Sequence, residues 1–98
     1  MVPYPVGGSN DVFARQIAKS LGEALKVAVV VDNKPGASGS TGTIAVSKAA
    51  PDGYTLLFGA QGSTIVTPLL SKVPYDMDKD FTPLSLVATG PSILMVNA

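Results

Sequence analysis

Three short stretches of this sequence set glycines beside small hydroxyl and amide residues: Pro5–Asn10 (PVGGSN), Gly36–Gly42 (GASGSTG) and Gly59–Thr64 (GAQGST). Glycine lets a ligand approach the backbone closely, and a helix beginning at such a turn presents unpaired N–H groups to an anion. Gly7, Gly8 and Ser9 could therefore cradle a carboxylate or phosphate, or could simply turn the chain from strand to helix. Gly59–Thr64 carries the same two readings. Gly36–Gly42 lacks the lysine of a phosphate-binding G-x-x-x-x-G-K-[ST] loop and the spacing of G-x-G-x-x-G, so it is not read as a nucleotide site.

The remaining chemistry is sparse. The chain has no Cys and no His, which removes thiol chemistry, Cys/His zinc sites and imidazole acid–base catalysis. Asp76, Asp78 and Asp80 alternate as in an EF-hand loop, but Phe81 and Val87 stand where Gly and Glu are needed, so a solvated turn is expected. Asp11 could serve as a carboxylate base, but capping of a helix explains it more simply. Arg15, the single arginine, is expected on a solvated helix face. With so few groups able to move protons, recognition by backbone N–H, hydroxyls and water is favoured over a reaction centre. No catalytic residue, cofactor or metal is expected.

Elements that would position these loops follow from hydropathy. Ser9 or Asn10 can cap a helix with Asp11 in its first turn, and Phe13, Ala14, Ile17, Ala18, Leu21 and Leu25 recur at helical spacing. The apolar, β-branched start of VAVVVDN predicts a strand covered on both faces, and YTLLFG and PSILMVN predict two more. Short helices are expected near residues 43–50 and 65–71. Strands alternating with helices imply an α/β fold with a mainly parallel sheet and flanking helices. In such sheets ligands sit beyond the carboxyl ends of the strands, where all three glycine-containing loops fall.

The 98 residues, 46% hydrophobic and 14% charged, suit one packed domain. Seven basic residues balance seven acidic ones without forming a stripe, which argues against a nucleic-acid partner. No apolar run approaches the ~20 residues that span a bilayer, so no direct membrane insertion is expected. Met1-Val2-Pro3 has neither the basic start nor the apolar core of a signal peptide. The first strand, Val2–Tyr4, is short and the last apolar strand has no closing helix, so residues 1–98 are read as an incomplete domain.

Four motifs in order resemble the N-terminal part of the Bug-type solute receptors of tripartite tricarboxylate transporters: VPYPVGGSND, DNKPGASGSTGT, KAAPDGYTLLFG and VPYDMDKDFTPLSLVA. The resemblance implies a partial first lobe of a two-lobe periplasmic binding protein, its second lobe absent. It implies a non-catalytic receptor that binds a small carboxylate and docks on membrane transporter subunits, periplasmic in its full-length form. Carried onto this sequence, the ligand loops are Val6, Gly7, Gly8 and Ser9 with Ala60, Gln61, Gly62 and Ser63. PDGYT and DFTP look structural, with a turn at Asp52-Gly53 and core packing by Tyr54 and Phe81. Val6, Lys26 and Ala28 depart from the family's usual Pro, Gly and Pro, and Lys26 is expected to leave the first helix without a left-handed cap. The rival readings are an α/β enzyme fragment acting on a small carboxylate and a stand-alone interaction module.

Overall fold

Helix α1 spans Ser9–Leu25 in the computed structural model, which describes residues 1–97. Its apolar spacing places Ala14 and Ala18 in the interior beside Asp11. Phe13, Ile17 and Leu25 remain exposed and Leu21 is half-buried, so only the small residues of the expected stripe are fully covered. The helix ends in a left-handed turn after all. Lys26 takes φ 55°, ψ 40°, and the Val27 N–H reaches back to the Gly22 carbonyl at 3.2 Å. This is the geometry a C-terminal glycine normally supplies, here imposed on a side-chain-bearing residue. A Cβ at Gly22 would lie 2.9 Å from the Val27 carbonyl oxygen, so the tight return depends on glycine at that position instead.

After the extended residues 27–35 the backbone makes a left-handed turn through four successive residues: Gly36 (φ 128°), Ala37 (φ 48°), Ser38 (φ 55°) and Gly39 (φ 90°). It contains a single 3₁₀ turn, Ala37–Gly39, and feeds α2, Ser40–Ser47, which starts and ends earlier than the spacing predicts. Gly42 sits against the first segment: a Cβ there would stand 2.7 Å from Pro3 Cβ and 2.9 Å from the Lys34 carbonyl oxygen. The Asp52-Gly53 turn forms as expected, with Asp52 Oδ1 accepting the Tyr54 N–H at 3.0 Å and Gly53 at φ 81°. The third helical stretch begins as a π-helix, Gly62–Val66, and continues as α3, Thr67–Leu70.

The expected parallel sheet is not formed among the described residues. No segment there extends into a strand, and the β structure is one isolated parallel bridge, Val2–Asn33. The Val2 N–H donates to the Asp32 carbonyl at 2.7 Å and the Lys34 N–H to the Val2 carbonyl at 2.9 Å. On the other side the Met1 nitrogen donates to the Leu56 carbonyl and the Phe58 N–H to the Met1 carbonyl, both at 2.9 Å. Segments 32–34 and 56–58 thus flank the first residues in parallel sense. The pairing stops because Pro3 and Pro5 have no N–H to donate. Residues 91–97, expected as a strand, are exposed and without regular structure, and Val30 is likewise exposed rather than covered on both faces. Tyr54, expected in the core, is 92% exposed, whereas Phe81 packs edge-on against buried Tyr75 with ring centroids 6.4 Å apart. The result is a helical unit with elements compatible with α/β and a long irregular tail, measuring 52 × 29 × 21 Å.

Candidate functional site

The first glycine turn is held by a carboxylate. Gly7, at φ 87°, donates its N–H to Asp11 Oδ2 at 2.8 Å. The same carboxylate accepts Arg15 Nε at 3.0 Å to both oxygens and Asn33 Nδ2 at 2.9 Å. Asn33 Nδ2 also donates to the Tyr4 carbonyl at 3.1 Å, and Asn33 Oδ1 accepts from the Arg15 guanidinium at 3.2 Å. Asp11 is 2% exposed, and these donors hold its pKa at about 2, the Gly7 amide contributing most, then Arg15, then Asn33. A carboxylate so fully occupied has no lone pair free for proton abstraction. Asp11 is therefore no base; it lies in the first turn of the helix as expected, but the expected cap by Ser9 or Asn10 is not made: Gly8 (φ −74°, ψ 168°) is the N-cap residue, with no side-chain cap bond, and Ser9 and Asn10 lie inside the helix. Arg15 is half-exposed as expected, but its guanidinium is engaged.

Locking Gly7 this way leaves the next donors free. Val12 N–H closes the first helical turn onto the Gly8 carbonyl at 3.0 Å, while the N–H groups of Ser9, Asn10 and Asp11 have no acceptor among the described residues. That is what the start of any α-helix leaves open. Val6, Gly7, Gly8 and Ser9 are all exposed.

The second loop is built differently. Ser63, 0% exposed, accepts the Tyr4 hydroxyl at 3.2 Å and donates its own hydroxyl to the Ala60 carbonyl at 3.3 Å. Thr64 turns both its N–H (3.1 Å) and its Oγ1 (2.9 Å) onto the same Ala60 carbonyl. From the other side the Tyr75 hydroxyl donates to the Ser63 carbonyl at 2.7 Å. Gln61 is exposed, and Ala60 and Gly62 are half-buried. The Gly36–Gly42 loop packs behind this arrangement: a Cβ at Gly39 would meet Ser63 Cβ at 2.9 Å and the Tyr4 hydroxyl at 3.0 Å. Ser40 Oγ, next in the chain and 6% exposed at residue level, has no hydrogen-bond partner among the described residues.

One cleft, of volume ≈ 640 Å³, joins the two loops. Ser9 and Asn10 border it from the start of α1, and Ala60 and Gln61 from the second loop. Phe13, Phe58, Thr64, Ile65 and the irregular stretch of residues 85–90 add to the wall. No charged side chain lines it. A second cleft of ≈ 430 Å³ runs beside Thr64, Pro68 and Tyr75, but Asp76 and Asp78 border it and would repel an anion. Of the residues predicted from sequence, Ser9, Ala60 and Gln61 thus share a cleft. Val6, Gly7, Gly8, Gly62 and Ser63 stand next to these residues without lining it. Tyr4, Asn33 and Tyr75, which shape the loops, escaped sequence reading because their partners lie 29, 22 and 12 or more residues away.

Asp76, Asp78 and Asp80 form the expected exposed turn: Asp76 Oδ1 accepts the N–H groups of Asp78 and Lys79, and Asp80 Oδ2 that of Asp76. Among the described residues no three of His, Cys, Asp and Glu gather as a metal site, and no helix is long and apolar enough to cross a membrane.

Residues 13–98 match the family described as the tripartite tricarboxylate transporter family receptor. The chain is 45% identical over 99 residues to a UPF0065 protein of Bordetella bronchiseptica. It is 42% identical over 98 residues to a UPF0065 protein of Pseudomonas sp. strain P51, from a tcbD-tcbE intergenic region. It is also 41% identical over 99 residues to protein BugT of Bordetella pertussis. Essentially the whole chain is covered in each case, but it spans only 29–30% of the length of these relatives.

Proposed function

Because the chain belongs to the tripartite tricarboxylate transporter receptor family, we propose that it forms part of the first lobe of an extracytoplasmic receptor that captures a small carboxylate without catalysis. The observation that carries this reading is the joint cleft. Two loops 50 residues apart in sequence bring Ser9 and Asn10 together with Ala60 and Gln61 around a space that holds no charged side chain. The free N–H groups at the start of α1 point a fixed partial positive charge toward negative charge. A carboxylate oxygen is the ligand group such donors suit, with Gln61, Thr64 and bridging water completing its shell.

Val6, Gly7, Gly8 and Ser9 form one half of the proposed site and Ala60, Gln61, Gly62 and Ser63 the other. In the first half Asp11 fixes the turn that precedes Ser9, and in the second Ser63 carries the loop from beneath. A further lobe would close over the cleft, exclude water and strengthen each hydrogen bond, and the closed form would dock on membrane transporter subunits in the periplasm. Calorimetric titration of the full-length receptor with di- and tricarboxylates tests this. Saturable binding of at least one of them is expected, with no turnover of the bound acid. Binding of neutral analogues as tight as that of the acids would refute the reading.

A further inference from the structure

The π-helix at Gly62–Val66 raises a question of register. A π turn pairs each N–H with the carbonyl five residues back, a poorer geometry than the α turn, and persists where something else favours it. Thr67 N–H bonds to the Gly62 carbonyl in this way. The Ser63 carbonyl then has no helical donor. Its α partner, Thr67 N–H, is already committed, and its π partner would come from position 68, which is proline and has no N–H. In a residue as buried as Ser63 an unpaired carbonyl would be costly. The Tyr75 hydroxyl fills this place at 2.7 Å, from a ring that is buried and packed edge-on against Phe81.

We infer that Tyr75 and Pro68 together select the π register of the second loop, with Tyr75 acting as a positioning residue for the amides of Gln61–Ser63. In the α register Thr67 N–H would pass to the Ser63 carbonyl, Pro68 would instead leave the Thr64 carbonyl bare, and the Tyr75 hydroxyl would share an acceptor already satisfied instead of filling an empty place. Proline therefore orphans one carbonyl in either register, and the tyrosine decides which. A π turn winds one more residue into the turn than an α turn does, so the choice changes how the loop's N–H groups are set about the axis. The consequence for affinity rests on the function proposed above; the register itself does not.

The test uses the full-length receptor and three variants: Tyr75→Phe, Pro68→Ala and the two combined. Tyr75→Phe removes only the donor. It is expected to lower Tm by roughly 2–4 °C and to weaken tricarboxylate binding about ten-fold. In the Pro68→Ala background the same change should move Tm by less than about 1 °C, since residue 68 can then donate in either register. A through-hydrogen-bond NMR coupling from the Thr67 nitrogen to the Gly62 carbonyl carbon is expected in the parent protein, moving to Ser63 in Tyr75→Phe. Additive Tm losses would overturn the inference, as would a parent coupling to Ser63. Should Tyr75→Phe fail to fold, the parent coupling and the combined variant still decide. A register that moves while tricarboxylate affinity stays constant would uphold the inference and count against the second loop as a ligand loop.

Discussion

Ser9→Pro isolates the contribution of one backbone amide to the proposed ligand capture. Ser9 is the first residue of α1, the position at which proline is best tolerated, because its N–H makes no intrahelical bond. Proline also restricts the residue before it to extended geometry, and Gly8, at φ −74°, ψ 168°, already has it. The Val12 N–H to Gly8 carbonyl bond and the Gly7 N–H to Asp11 bond are untouched. The variant should fold with an unchanged Tm. It lacks one free N–H on a residue that borders the cleft, and a hydrogen bond to a charged group contributes about 1.5–3 kcal/mol, or roughly 10- to 150-fold in Kd. Calorimetry on the full-length receptor with a di- or tricarboxylate reads this directly. Gly7→Pro is the contrasting control. Proline cannot reach φ 87° and would remove the N–H bonded to Asp11, so both fold and binding should suffer. A Ser9→Pro receptor that binds its acid within about two-fold of the parent would refute the assignment of the first loop, because a bond of that strength cannot be lost so quietly.

The remaining expectations concern charge, pH and backbone strain. Because no charged side chain lines the cleft, raising salt across the range that screens surface charges should change affinity by less than about three-fold; a steep salt dependence would point to a cationic clamp elsewhere. The Asp11 carboxyl is lowered from its ordinary 3.8 to about 2 in the folded chain. Its stabilising contribution is complete well above about pH 4 and is lost as pH falls toward 2, so Tm should decline on the acid side of about pH 4; Asp11→Asn should blunt that acid limb. Lys26→Gly should stabilise by about 1 kcal/mol, since a left-handed residue bearing a Cβ is strained by roughly 1–2 kcal/mol; a denaturant midpoint unchanged or lowered would contradict this. Gly42→Ala forces a Cβ to within 2.8 Å of Pro3 Cα and should cost about 1–3 kcal/mol, whereas Ser40→Ala, which deletes an unpaired buried hydroxyl, should be neutral or stabilising in the same melt.

Local signals were read well from sequence and distant ones poorly. The helix over α1, the turn at Asp52-Gly53 and the acidic turn at 76–80 all follow from residues adjacent to one another. Spacing placed Asp11 in the first helical turn but could not reveal that it also ties down Gly7, because that arrangement includes Asn33 arriving from another segment. Nor could it reveal that Lys26 would accept the left-handed turn, which the Gly22–Val27 closure imposes. The strands were expected from β-branched runs, but a strand exists only with a partner, and prolines 3 and 5 interrupt the segment that would have provided it. The π-helix was invisible for the same reason: Pro68 is plain in the sequence, yet its effect depends on a phenol twelve residues from the carbonyl it serves.

The clasp joining Gly7, Asp11, Arg15, Asn33 and the Tyr4 carbonyl has a bearing on how a guest would be received. Its members come from the opening segment, the first helix and the stretch before the left-handed turn, so none of the three can shift alone. On the function proposed above, a mouth already set on one side would lose little freedom when cargo arrives, and movement on capture would come from whatever faces it. Grip and motion would be assigned to opposite jaws.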